Sequence, residues 1–104
     1  MISGRLKQLQ KFLDEDPADP FNWYALALEY LKSDQKKALT LFEKLLADFD
    51  QYLPTYYQAA LLYIQLEESR KAVNVFEKGI ALARDQNNLK AANELRSALD
   101  ELLY

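Results

Sequence analysis

The sequence predicts an all-α fold built from a repeated helical pair, and three observations carry that prediction. The first is an echo. Trp23, Leu26, Ala27 and Tyr30 return 33 residues later as Tyr56, Ala59, Ala60 and Tyr63, and the run Lys37–Lys44 returns 34 residues later as Lys71–Lys78. A near-constant period of this size marks an architecture of stacked supersecondary units, none of which can bury its apolar face alone. The second is periodicity: apolar residues recur three and four apart in six segments, and no segment alternates as a strand would. The third is punctuation, since Pro, Asp, Asn and Ser gather at the breaks between those segments.

Each element then follows in order. Over residues 4–15, Leu6, Leu9 and Leu13 form one stripe, with Ile2 and Phe12 beside it and Arg5, Lys7, Gln8, Lys11 and Asp14 opposite. Ser3 is placed to cap that helix. Asp16-Pro17 ends it, and Asp19-Pro20 starts the next, the aspartate as cap and the proline where its missing N–H is harmless. The second helix, 20–32, leaves almost no polar face, so it must pack on several sides or line something. Ser33-Asp34 reads as a short turn and cap for a third helix over 35–48, striped by Ala38, Leu39, Leu41, Phe42, Leu45, Leu46 and Phe49. Pro54 closes the next break and should push Leu53 toward an extended conformation. A second wholly apolar helix is expected over 54–66. Ser69 is a candidate cap for a helix over 70–85, and after Gln86-Asn87-Asn88 a last amphipathic helix covers 89–103.

Composition narrows the function. At 104 residues the chain has length for one core, and 50% apolar with 28% charged residues indicates a globular protein rather than a disordered one. A net charge of −3 with interspersed signs offers no basic stripe for phosphates, so no nucleic-acid partner is expected. Histidine and cysteine are both absent, which removes the commonest general base, the thiolate nucleophile and the main transition-metal ligands. Gly4 and Gly79 stand alone, so no phosphate-cradling loop is formed. The first residues lack a signal-peptide core and no apolar run reaches a bilayer span, so a cytoplasmic protein without membrane contact is expected.

The spacing of Trp23, Leu26, Ala27, Tyr30, Ala38 and Phe42, repeated in Tyr56, Ala59, Ala60, Tyr63, Ala72 and Phe76, resembles the tetratricopeptide repeat, a helix–turn–helix unit of about 34 residues. The resemblance covers residues 5–86 and implies a right-handed α-α superhelix of six helices. It frames a single domain as a half-repeat helix (1–19), one repeat (20–53), a second (54–86) and a capping helix (87–104). Ala27, Ala38, Ala60 and Ala72 fall where paired helices cross most closely. The first unit departs in its turn: Tyr30 and Ala38 are one residue nearer in sequence than Tyr63 and Ala72. Leu45 stands where a small residue is usual. Gly79 holds the matching place in the second unit, and an alanine of the last helix (Ala91, Ala92 or Ala98) is expected opposite it.

In this family the first helix of each hairpin lines a concave groove for peptides or helices. The resemblance assigns that face to Phe21, Tyr24, Leu28 and Leu31 in the first unit and to Tyr57, Leu61 and Ile64 in the second, with Gln58 and Gln65 at the edge. The last helix adds Lys90 and Asn93, then Ser97 and Asp100. A lysine and asparagine clamp for a terminal carboxylate is not expected, because Tyr24, Leu28, Tyr57 and Leu61 stand at its places. A groove of Tyr and Leu suits an apolar or amphipathic helix as partner, or a second copy of the chain making a homodimer.

No catalytic site is expected, because the acidic residues fall on turns and outer faces without a convergent pair. Asp14, Glu15, Asp16 and Asp19 lack the glycine and closing glutamate of a calcium loop, and Asp16 and Asp19 read as caps. No metal and no cofactor are expected. Glu43-Lys44 and Glu77-Lys78 recur on the solvent side of the repeat.

Overall fold

The computed structural model describes residues 3–104, and six α-helices form among them: α1 (Gly4–Glu15), α2 (Pro20–Tyr30), α3 (Gln35–Asp48), α4 (Pro54–Gln65), α5 (Ser69–Asp85) and α6 (Leu89–Leu103). Among the described residues there is no strand. Ile2, placed beside the first stripe by the sequence, lies outside the described residues. The chain divides between Tyr52 and Leu53 into two compact units, the first holding α1 to α3 and the second α4 to α6.

Short polar side chains set most of the helix starts. The N–H of Leu6 donates to Ser3 Oγ at 3.1 Å, that of Phe21 to Asp19 Oδ1 at 2.9 Å, and that of Lys37 to Asp34 Oδ1 at 3.2 Å. Asn88 does the same for α6, accepting from Ala91 N–H at 3.0 Å. Each cap satisfies one of the N–H groups a helix start leaves unpaired. Two expected starts are different. Ser69 is already the first helical residue of α5, and the cap position falls to Glu68, with no side-chain bond. Leu53, ahead of Pro54, adopts the right-handed helical conformation (φ −57°, ψ −40°) rather than an extended one. Its carbonyl accepts Tyr56 N–H at 3.1 Å, so the residue already serves the first turn of α4, and that bond outweighs the steric bias of the proline.

In the first unit α2 packs against both α1 and α3. Leu9 and Leu13 of α1 and Leu26 of α2 make a buried cluster, flanked by Leu6, Trp23, Ala25, Tyr30 and Leu41. Ala27 and Ala38 are fully buried, as are Phe42 and Leu45. Hydrogen bonds fasten the break between α1 and α2. Asn22 Nδ2 donates to the carbonyls of Asp16 (3.1 Å) and Phe12 (3.4 Å), and Trp23 Nε1 donates to the carbonyl of Pro17 at 2.7 Å. Asp16 therefore contributes its backbone here, its own N–H returning to the Phe12 carbonyl as the C-cap of α1, and not the carboxylate cap expected. Trp23 and Tyr30 are half-buried, because their polar atoms and ring faces also serve the surface. Lys44 Nζ lies 5.3 Å from the Trp23 ring centroid and Lys37 Nζ 5.4 Å from that of Tyr30.

In the second unit α5 packs against α4 and α6. Ala59, Ala60, Ala72, Phe76 and Ala83 are fully buried, with Leu62, Ile80, Leu95 and Leu99 nearly so. Gly79 permits the closest approach. A β-carbon there would lie 2.7 Å from Tyr56 Cβ and 3.2 Å from Leu95 Cδ1. The neighbours are thus a tyrosine of α4 and a leucine of α6, not the alanine expected, because a missing side chain on α5 makes room for both flanking helices.

The helix ends explain the unequal turns. After α4, Glu68 N–H reaches back to the Tyr63 carbonyl (2.8 Å) and Glu67 N–H to that of Ile64 (3.0 Å), with Glu67 in the left-handed region at φ 61°. After α5, Asn88 and Asn87 repeat the pattern on Ala83 (2.8 Å) and Arg84 (3.0 Å), with Asn87 at φ 57°. Both are Schellman ends. After α2 the chain stays right-handed at Leu31, and Asp34 N–H closes directly on the Tyr30 carbonyl at 2.7 Å. The missing residue of the first turn is the left-handed one.

Candidate protein-binding surfaces

The α2 residues assigned to binding do not share one environment. Phe21 is 56% exposed, in the first turn beside the Asp19 cap. Tyr24, one turn on, is half-buried and packs one side of its ring on its own unit. Its ring meets Tyr52 edge-on, with centroids 5.6 Å apart and planes at 63°, and tilts against Phe42 at 6.4 Å. Such edge-on contacts set the electropositive ring edge against a neighbour's face. Burial first, and the charge of Tyr52 second, raise the Tyr24 phenol above its ordinary pKa. Tyr52 is raised likewise, by burial and then by the carboxylate of Asp19. Leu28 and Leu31 are half-buried, Leu31 as the residue that closes α2.

In the second unit Tyr57 is 37% exposed, and Leu61 and Ile64 follow it on one face of α4, half-buried. Gln58 is half-buried and Gln65 exposed. Lys90 and Asn93 are exposed one turn apart on α6, as are Ser97 and Asp100. Lys90, Asn93, Glu94 and Ser97 make an exposed polar face of α6, while Ala92, Leu95 and Leu99 are its buried residues.

Among the described residues, surface depressions that lie within single units are formed by residues other than the nine assigned ones. One in the first unit is formed by Leu6, Lys7, Gln10, Lys11, Asp14 and Tyr30. A second there is formed by Pro20, Asp48, Phe49, Asp50, Gln51 and Tyr52. In the second unit Ser69, Arg70, Val73, Asn74, Glu77, Leu102 and Leu103 line another. Phe49 ends the apolar stripe of α3, and Tyr52 lies in the break that follows. Two aromatic residues so close to a turn were the available signal that this segment packs back on its own unit, and the Tyr24–Tyr52 and Trp23–Phe49 ring contacts are the outcome.

The acidic run at 14–19 is tied up in local structure. Gln10 Nε2 donates to Asp14 Oδ1 at 2.9 Å, Lys11 approaches Glu15 at 4.0 Å, and Asp19 caps α2. Among the described residues no three acidic side chains converge as a metal would need. No described helix is long and apolar enough to cross a membrane.

A family model for the tetratricopeptide repeat matches residues 53–86, the span of α4 and α5. The structure also resembles that of a tetratricopeptide repeat domain protein from Salinibacter ruber, determined by solution NMR. Identity is 40%, the alignment covers 84% of this chain and 89% of that one, and the TM-score is 0.80. The chain belongs to the tetratricopeptide repeat family. A crystal structure of a Salinibacter ruber tetratricopeptide repeat domain protein agrees, at 39% identity over 81% of this chain and 94% of that one, with a TM-score of 0.76. MamA shares the fold at 19% identity, over 94% of this chain and 64% of its own, with a TM-score of 0.66. No curated protein matches the chain significantly. Tetratricopeptide repeats typically act as scaffolds for protein partners, so the family directs attention to surfaces rather than to a reaction centre.

Proposed function

We propose that this tetratricopeptide repeat chain is a non-catalytic interaction module of the cytoplasm that binds an apolar or amphipathic helical segment of another protein. The contacts assigned to that partner are Phe21, Tyr24, Leu28 and Leu31 in the first unit, and Tyr57, Leu61, Ile64, Lys90 and Asn93 in the second. The observation that carries the reading is that α2 and α4 hold more apolar side chains than their own units consume. Phe21 stays more than half in solvent, and Tyr57 keeps over a third of its surface there. Tyrosine and phenylalanine at such positions anchor helical ligands at low entropic cost.

The test is a double variant, Leu28→Ala with Tyr57→Ala, in affinity capture from cells that make the protein. Partner capture should vanish while the helical melting curve stays close to the parent's. A variant that unfolds would show the two side chains to be core, and the assignment would fail. A second copy of the chain would cover Phe21 and Tyr57 equally well. Light scattering over a concentration series separates the readings, since a monomer at all concentrations leaves only the foreign partner.

A further inference from the structure

The depression formed by Pro20, Asp48, Phe49, Asp50, Gln51 and Tyr52 combines apolar side chains with two carboxylates. Pro20, Phe49 and Tyr52 are its apolar lining, Asp48 and Asp50 its acidic lining, and none of the six residues is cationic. Asp19 adds a third carboxylate nearby, close enough for its charge to oppose ionisation of Tyr52. The apolar lining is held rigidly. Tyr52 is fixed edge-on against Tyr24, Phe49 lies tilted against Trp23, and Tyr52 N–H donates to the Phe49 carbonyl at 2.9 Å.

We propose that this depression docks a protein segment in which an arginine stands beside a large apolar side chain. The apolar group enters against Pro20, Phe49 and Tyr52, and the guanidinium meets Asp48 and Asp50. Complementary charge selects this guest: an acidic segment would bring like charges onto the two carboxylates, whereas a guanidinium forms paired bonds to carboxylates and stacks on aromatic faces. Asp48 already pairs with Lys44, one turn back on the same helix. Both side chains of that pair are substantially exposed, so the bond is weak and an incoming guanidinium replaces it at little cost. Lys44 keeps the Trp23 ring as its other contact. The residues involved are distinct from those assigned above to helix binding, so this site stands independently of that reading.

The experiment titrates the full ¹⁵N-labelled chain with a blocked peptide of alternating arginine and leucine, and with its twin carrying glutamate for arginine. Amide shifts should concentrate between Asp48 and Tyr52 and shrink as salt is raised, and the twin should produce none. The pair Asp48→Asn and Asp50→Asn should weaken binding at least about tenfold with an unchanged circular-dichroism spectrum. Should that pair fail to fold, Gln51→Lys tests the same depression by adding a repelling charge without removing an acid, and it too should weaken binding. Shifts scattered over the surface, an equal response to the glutamate twin, or undiminished binding by a folded variant would each overturn the proposal.

Discussion

Gly79 on α5 lies so close to Tyr56 on α4 that a β-carbon on the glycine would stand 2.7 Å from that of the tyrosine. The obstructing atom is held next to the α4 backbone and cannot rotate away, and Leu95 Cδ1 limits the other side at 3.2 Å. Gly79→Ala gains about 1 kcal/mol of helix propensity. Overpacking at a site without room costs about 1–3 kcal/mol, so the crowding should dominate. The expected outcome is a lower urea midpoint. A Gly79→Ala variant more stable than the parent would contradict the close approach.

Thr55, in the first turn of α4, is fully buried, and its hydroxyl oxygen has no hydrogen-bond partner. A buried polar group without a partner costs about 1–3 kcal/mol, so replacing it with an isosteric apolar group recovers part of that. Thr55→Val should leave the chain as stable as before or raise its stability by about 1 kcal/mol. Thr55→Ser removes the methyl group and keeps the orphan hydroxyl, and should destabilise. Urea midpoints of the two variants check this, and the order Val above parent above Ser is the signature sought.

The helices were legible because their starts and stops are written in local chemistry. Ser3, Asp19 and Asp34 stand where an N–H needs an acceptor, and Pro20 and Pro54 stand where none is needed. The repeated small residues Ala27, Ala38, Ala60 and Ala72 marked buried positions for the same reason: a side chain's size is visible in the sequence. The partner of Gly79 was not visible, since it depends on where two flanking helices cross the third. Tyr52 was hidden in the same way. A linker residue's destination depends on the turn that carries it, and only the structure shows its ring against Tyr24. For the candidate surfaces, the sequence displays the apolar excess of α2 and α4. It does not display its division on α2, where Tyr24 is drawn into its own unit and Phe21 is left in solvent.

Glu67 adopts φ 61° at the end of α4, a conformation that costs a residue with a β-carbon about 1–2 kcal/mol. The Schellman bonds of Glu67 and Glu68 hold it there. Glu67→Gly should therefore raise stability by about 1 kcal/mol, discounted somewhat by the greater freedom of glycine in the unfolded chain. Asn87 occupies the equivalent place after α5, and asparagine tolerates this region, so Asn87→Gly should gain less. Thermal melts of the two variants give the comparison. Equal gains, or a loss at Glu67, would mean that the carboxylate contributes something the backbone geometry does not reveal.

The paired phenols of Tyr24 and Tyr52 set a limit on stability at alkaline pH. Both pKa values are raised in the folded chain from the ordinary 10.0, by burial first in each case. A raised folded pKa means that the unfolded chain loses these protons first as pH climbs. The stability the neutral phenols contribute is complete below about pH 10 and drains away as pH rises through the folded values. Urea midpoints measured from neutral pH to about pH 11 should stay level and then fall. Absorbance of the phenolate should show two tyrosines titrating above the ordinary value of 10.0. Tyr52→Phe removes one late phenol and relieves the charge that Tyr24 would meet on ionising, so the fall should become shallower and the Tyr24 titration should move toward the ordinary value. An unchanged profile in that variant would show that the alkaline loss arises elsewhere than at this ring pair.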